Sequence, residues 1–310
     1  MENLNVSAAP HICSRTSTKN IMLDVLIALL PATVASIVIF GLKSVWIILA
    51  CVISAVLSEF VFNLCIKKKQ TIGDLSAVVT GLILALNLST KVAIWQCVLG
   101  SVFAIIVVKC LFGGLGKNIV NPAIAARVFL LLTFASVAGG GQPINPDVVS
   151  SATPLAALNE GKNAAGIPTL LQLFIGNHGG TIGETCAIAL LIGYIYLVVR
   201  KVIKWYVPLT FVLTVFLCYL IADGSCTFAL SHVLAGGLLF GAIFMATDYV
   251  TTPISNLGKI IFCVGCGLIT FAIRKYGSYP EGVSISILVM NLLVPLIEKI
   301  SVPRTLGGIR

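Results

Sequence analysis

The sequence predicts an all-α integral membrane protein of about ten transmembrane helices, arranged as two inverted five-helix repeats. Three observations carry that reading. Of the 310 residues, 58% are apolar and only 10% are charged, with a mean hydropathy of +1.06, against roughly 45–50% apolar and about 25% charged in soluble domains. The apolar residues gather in runs close to the roughly 20 residues a helix needs to cross a ~30 Å hydrocarbon core. Two stretches of the chain, about 160 residues apart, also carry similar patterns in the same order. A soluble globule is excluded by composition, and so is a disordered chain, which needs low hydrophobicity and high charge.

The first five runs cover 21–41, 45–66, 75–89, 92–112 and 121–138, and the second five 182–199, 205–222, 227–247, 257–274 and 281–298. This divides the chain into an amino-terminal segment (1–20), a first membrane half (21–138), a loop (139–181), a second membrane half (182–298) and a tail (299–310). The polar first twenty residues, followed by a full-length apolar run, predict no cleavable signal peptide. The formal charge of +9 comes from 20 Lys and Arg against 11 Asp and Glu. These cations sit singly or in short clusters at the ends of apolar runs, which excludes a nucleic-acid partner and points to orientation in the lipid bilayer. With the amino terminus in the cytoplasm, Lys67, Lys68, Lys69, Arg200, Lys201, Lys204 and Lys259 fall inside with most of the rest. Lys43, Lys91, Lys162, Arg274 and Lys275 fall outside, and Lys109 lies within a span. Both termini are therefore expected in the cytoplasm and the 139–181 loop outside. For the Arg274–Lys275 exception, snorkelling and a misplaced ninth span both stay open.

The repeat pairs Thr80–Asn87 with Gly241–Asp248, Gly113–Gly116 with Tyr276–Tyr279, and Asn121-Pro122 with Pro280-Glu281. Five spans per half is odd, so the second copy must enter the membrane upside down. Pro122 and Pro280 fit helix starts, and the glycine-rich lead-ins suggest unwound backbone, tolerated in a membrane only where it is buried or lines a cavity.

Chemistry is sought first in Asp147-Val148-Val149-Ser150-Ser151-Ala152-Thr153-Pro154, where a threonine among small residues, followed by a rigid proline, is presented in a long loop. Ser and Thr in loops otherwise make local backbone bonds. Ionisable residues inside the runs come next, because charge in hydrocarbon marks an ion path, a ligand or a buried pair. Glu59 either belongs to such an ion path or snorkels toward Lys67–Lys69. Asp248 and Glu281 lie at helix ends, where an interfacial role, or for Glu281 a helix-dipole role, competes with an ion path. Arg127 needs a phosphate, a flavin or a carboxylate nearby. Cys263 and Cys266, without a second such pair, read as small residues at a helix contact, and so do Gly237 and Gly241. His178 and His232 are single, and no metal site is expected.

The segments Phe112–Ala123 with Arg127, Asp147–Pro154, Met245–Pro253 and Tyr279–Val283 together resemble the RnfD/NqrB family of membrane subunits, in the family's order across nearly the whole chain. The short amino-terminal stretch is closer to the RnfD branch. The resemblance implies FMN held through a phosphoester on Thr153 and attached by a flavin transferase that reads Asp147, Ser150 and Ala152; Ser151 stands where many members have glycine. Arg127 becomes a second candidate flavin contact, and Glu59, Asp248 and Glu281 become candidates for an ion pathway. Some relatives also hold a non-covalent riboflavin between the spans. It further implies a subunit of an Rnf-type complex in a bacterial plasma membrane, with RnfA, RnfB, RnfC, RnfE and RnfG as partners. That complex couples electron transfer between ferredoxin and NAD to Na+ or H+ translocation. The chain has neither a Gly-x-Gly-x-x-Gly nucleotide fold nor a clustered-cysteine ferredoxin motif, so donor and acceptor sites belong to partners. The competing reading is a stand-alone solute channel or transporter on the same repeat, which would need no covalent cofactor.

Overall fold

A computed structural model describes residues 17–134, 154–159, 168–176, 178–277 and 281–301, and every regular element among them is a helix. The chain runs through α1 (Thr18–Phe40), α2 (Leu42–Cys65) and α3 (Ser76–Leu86) into α4 (Ile94–Val102), which continues as a π-helix over Phe103–Cys110, and then α5 (Pro122–Thr133). Two short helices follow, α6 (Pro154–Asn159) and α7 (Leu170–Ile175). The second half holds α8 (Ala187–Val199), α9 (Tyr206–Asp223), α10 (Cys226–Leu234), α11 (Leu238–Met245, π-helical from Gly241), α12 (Asn256–Tyr276) and α13 (Val283–Ile300).

All ten expected runs contain helix, but they are not ten equal spans. Five helices, α1, α2, α9, α12 and α13, are long and apolar enough to cross a membrane, and α10 with α11 makes a sixth if the pair, bent by 66°, is one span. The runs at 75–89, 92–112, 121–138 and 182–199 give apolar helices of 10–17 residues.

Each interruption is satisfied by named polar groups. At the end of α3 the Asn87 side chain donates back to the Ile83 carbonyl at 2.7 Å. The Leu86 and Leu88 carbonyls accept from the Gly183 and Ile182 N–H groups at 2.7 and 2.9 Å. The last carbonyls of a helix have no partner within it, and here a distant segment supplies them. At the other break, Gly236 takes φ +73°, a conformation that suits glycine, and the Arg274 guanidinium donates to the His232 and Ala235 carbonyls at the end of α10, at 2.6 and 3.4 Å. A cation at a helix carboxyl end also complements the helix dipole. At α5, Asn121 caps the helix by accepting from Ala123 N–H at 3.0 Å, with Pro122 at the first helical position.

Close packing holds the helices together within and between the halves. α1 lies on α8, α2 on α3 and α4, α9 on α12, and α5 and α12 each on α13. In lipid, where helices gain little by hiding apolar surface from one another, small residues that admit close backbone approach do this work. A Cβ on Gly193 of α8 would stand 2.4 Å from the Ala28 carbonyl oxygen of α1, and one on Gly81 of α3 would stand 2.9 Å from the Cys51 carbonyl oxygen of α2.

Replacing Gly193 with Val is expected to overpack this seam and cost about 1–3 kcal/mol. The thermal midpoint of the detergent-solubilised chain, followed by labelling of its buried cysteines, should fall, whereas Leu213→Val on an exposed face of α9 should leave it unchanged.

Candidate functional site

Apart from Asp24, the buried charges among the described residues gather at the two ends of α3, an 11-residue helix about 16 Å long at 1.5 Å per residue. At its amino-terminal end α2 contributes Glu59 and the π-helical part of α4 contributes Lys109, each 2% exposed and 2.9 Å apart. Lys109 Nζ also donates to Ser76 Oγ at 2.6 Å, and Thr71 Oγ1 donates to Glu59 Oε1 at 2.7 Å while accepting from Asn63 at 3.1 Å. Asp74 fixes Ser76 by accepting from its N–H and hydroxyl at 2.9 and 2.6 Å. Glu59 Oε2 has no hydrogen-bond partner among the described residues. A cavity beside this network is lined by Ser76, Lys109, Asn118, Asn121, Thr247 and Asp248, so elements of both halves meet there. Asp248 lies half-buried in the turn after α11. Withdrawal from water raises its pKa, while hydrogen bonds from Thr251 and from the Val250 and Tyr249 backbone pull it down.

At the carboxyl-terminal end of α3, Arg127 of α5 donates to Asn87 Oδ1 at 2.5 Å and forms an ion pair with Glu281, just before α13. The segment that caps α3 brings in Glu184, whose Oε1 accepts from Thr181 N–H at 3.0 Å. The α10–α11 break brings in Gly237, where a Cβ would stand 2.4 Å from Glu281 Oε1 and 3.1 Å from Glu184 Oε2. Arg274 lies beside the same break, 2% exposed. Two arginines and two glutamates are thus drawn together around two consecutive glycines.

These positions correct several expectations. Glu59 does not snorkel toward Lys67–Lys69; it is buried against Lys109. Glu281 does not sit in a first helical turn, because α13 starts at Val283 with Gly282 as its cap; its charge faces Arg127. The carboxylate that Arg127 required is therefore Glu281. Arg274 neither snorkels nor lies beyond a misplaced span, since α12 extends through Tyr276 and holds its guanidinium inward on backbone carbonyls. Gly237 marks the helix break, while Gly241 does serve close packing, with Val283 Cγ1 2.4 Å from where its Cβ would lie. Asp24 of α1 is buried and accepts from Tyr196 and Arg200 at 2.9 and 3.2 Å. Cys263 and Cys266 are fully buried in α12. Sequence reasoning missed Lys109, Glu184 and Arg274 as site residues; the signal available was their charge inside or beside apolar runs. Asp147, Ser150, Ala152 and Thr153 lie outside the described residues. Of that stretch, Pro154 and Leu155 are described, both buried at the start of α6, and Leu155 Cδ2 and Arg274 Nη2 flank Gly236, at 3.1 and 3.2 Å from the place of its absent Cβ.

Residues 5–307 match the model of the NQR2, RnfD, RnfE family. The chain belongs to that family. Among its curated members, the D subunit of the Na+-translocating ferredoxin:NAD+ oxidoreductase complex of Acetobacterium woodii is 46% identical over 309 residues, 98% of this chain and 96% of that protein. The D subunit of the proton-translocating ferredoxin:NAD+ oxidoreductase complex of Clostridium ljungdahlii is 37% identical over 324 residues, 97% and 96% of the two chains. The D subunit of an ion-translocating oxidoreductase complex of Escherichia coli is 32% identical over 345 residues, 97% and 98%. Within the family, this chain places an ion pair at each end of one short helix.

Removing Lys109 leaves a carboxylate buried without its cation, which costs about 3–5 kcal/mol. Lys109→Met is therefore expected to destabilise the solubilised chain strongly, and Lys109→Met combined with Glu59→Gln to recover most of the loss. A double-mutant cycle on thermal unfolding measures it; additive losses would show that the two residues do not act as a pair.

Proposed function

We propose that this chain is the RnfD component of an Rnf-type complex in a bacterial plasma membrane, relaying electrons within a ferredoxin:NAD+ oxidoreductase that translocates Na+ or H+. The observation that carries the proposal is the end-to-end correspondence with the D subunits of such complexes, covering 96% of the Acetobacterium woodii chain. RnfA, RnfB, RnfC, RnfE and RnfG are its expected neighbours. The membrane domain is read as ten helical segments in two inverted halves with both termini in the cytoplasm. Supporting this, elements at equivalent places in the two halves pack on each other, α1 on α8 and α5 on α13, and α2 on α4 is matched by α9 on α12.

FMN is proposed to be joined to Thr153 through a phosphoester by a flavin transferase that reads Asp147, Ser150 and Ala152; when bound it would supply one- and two-electron transfer. The chain fits such a group. Pro154 and Leu155, which follow the attachment residue in the chain, are buried, and Leu155 lies at the α10–α11 break beside Arg274, which supports the reading. Arg127, with its guanidinium engaged by Asn87 and Glu281, would act on a flavin by orienting that cluster. A non-covalent riboflavin would need more room than the cavity between the halves offers, since its ≈ 90 Å³ lies below the roughly 300 Å³ of the smallest ligand pockets.

For the translocated cation, Glu59, Asp248 and Glu281 are the proposed pathway carboxylates. Glu59 and Asp248 approach the same cavity, Glu59 through Lys109, and Glu281 lies at the other end of α3. Each has an oxygen anchored by a neighbour, Lys109, Thr251 or Arg127, while Glu59 Oε2 and Glu281 Oε1 have no hydrogen-bond partner among the described residues, so a passing cation would meet one open oxygen on each glutamate.

The chain coexpressed with its flavin transferase is expected to give an in-gel fluorescent band that survives denaturation, lost in Thr153→Ala. A dark wild-type band with an active transferase would remove the electron-carrier reading and favour a transporter without a covalent cofactor.

A further inference from the structure

Beside the cavity between the halves lies a second one, of ≈ 250 Å³, formed where the α8–α9 connection meets the segment after α11 and the first turn of α12. Lys201, Lys204 and Lys259 all line it, and none of its described lining residues is acidic. Three ammonium groups around one hollow repel one another unless an anion lies between them. The surrounding groups add to this preference. Lys204 donates to Asn256 Oδ1, which also accepts from Tyr206 OH at 3.0 Å, so that acceptor is occupied and Lys204 is held in place. Glu298, the nearest carboxylate on α13, is turned to the Ile254 N–H at 3.3 Å, and Asp248 takes the Thr251 hydroxyl at 2.9 Å. The 21-residue α12 begins at this place and turns the positive end of its dipole toward the hollow.

The flanks identify the kind of anion. Ile254 is 84% exposed, Trp205 60% and Leu257 57%, and the outward face of α9 continues with exposed Leu209 and Leu213. Aromatic residues at helix ends mark the level of lipid headgroups. Basic pockets between transmembrane helices at that level bind anionic headgroups. A dissolved anion would use the lysines and leave the apolar flank idle, whereas a lipid uses both, with its phosphate among the ammonium groups and its acyl chains along α9. We propose that Lys201, Lys204 and Lys259 form a binding site for the phosphate of an anionic phospholipid.

Native mass spectrometry of the full-length chain released from detergent, with dioleoyl phosphatidylglycerol or dioleoyl phosphatidylcholine added, tests the proposal. Roughly fivefold per lysine at the bilayer surface, partly shared among three lysines on one phosphate, predicts a preference of about tenfold or more for phosphatidylglycerol. The preference should vanish in Lys201→Gln/Lys204→Gln/Lys259→Gln, persist in the corresponding triple arginine variant, and survive Lys67→Gln/Lys68→Gln/Lys69→Gln. Equal retention of the two lipids by the wild type, or equal loss in the Lys67–Lys69 variant, would overturn it. Displacement of the phosphatidylglycerol by millimolar inorganic phosphate would reassign the hollow to a soluble anion, and unchanged lipid preference in the triple glutamine variant would leave it to an acidic segment of another subunit. Should the glutamine variant fail to fold, Lys259→Gln alone is expected to lower the preference severalfold, and no change there would overturn the site.

Discussion

Inside a bilayer no water replaces a missing hydrogen-bond partner, so every carbonyl freed by ending a helix at membrane depth must be satisfied by the protein itself. The architecture depends on how this chain meets that requirement at two places. The carbonyls at the end of α3 are taken by the Ile182 and Gly183 N–H groups, and those at the end of α10 by the Arg274 guanidinium. Without the first, α3 would have no reason to stop at Leu86. Without the second, the 66° bend before α11 would leave the end of α10 open to hydrocarbon. Each cap also carries a charge to the same place: the first delivers Glu184 and the second is itself a cation. The cluster around Gly236 and Gly237 is thus a consequence of ending helices early.

The same accounting explains why the buried charges come in pairs. An isolated ion in hydrocarbon costs several kcal/mol, and Glu59 with Lys109 and Arg127 with Glu281 keep each contact near neutrality. The π-helical stretch of α4 takes part in this. Its i→i+5 bonding holds an extra residue per turn, which changes the direction in which the last turn presents Lys109, and π-bulges of this kind recur at functional positions. Lys109 then reaches Glu59 and Ser76 together, tying α2, α3 and α4 at one point.

Much of this was legible in the residues and some of it was not. The apolar runs located the helices because hydrocarbon selects residue by residue for low polarity, and that selection is local. Helix length was less legible, because the stop at Asn87 is set by backbone donors almost a hundred residues away, and no run of hydropathy records them. Arg127 announced a need for a carboxylate, yet Glu281 is 154 positions distant; only the packing of α5 on α13 makes them neighbours. Glu59 was ambiguous because Lys67–Lys69 offered a nearer-looking partner in sequence, and the fold chose Lys109, 50 positions on. Glu184 showed only as a charge near the start of an apolar run; its partners are set by a connection whose course is fixed at the end of α3.

The pairing also limits how an ion can use this chain. A glutamate with a lysine 2.9 Å away already has its cation, and attracts a second only weakly so long as that lysine stays. Passage of Na+ or H+ at Glu59 would therefore be controlled by the position of Lys109, and so by the last turn of α4 and by Ser76 at the start of α3. At the other end of α3, Arg127 holds Glu281 Oε2, while Glu281 Oε1 has no hydrogen-bond partner among the described residues. One short helix connects the two places, with Ser76 bonded at its first residue and Asn87 bonded just beyond its last. A shift of α3 along its own axis would move Ser76 against Lys109 and Asn87 against Arg127 together. That coupling comes from geometry alone, since an 11-residue helix fixed at both ends by charged partners has little freedom to move at one end only.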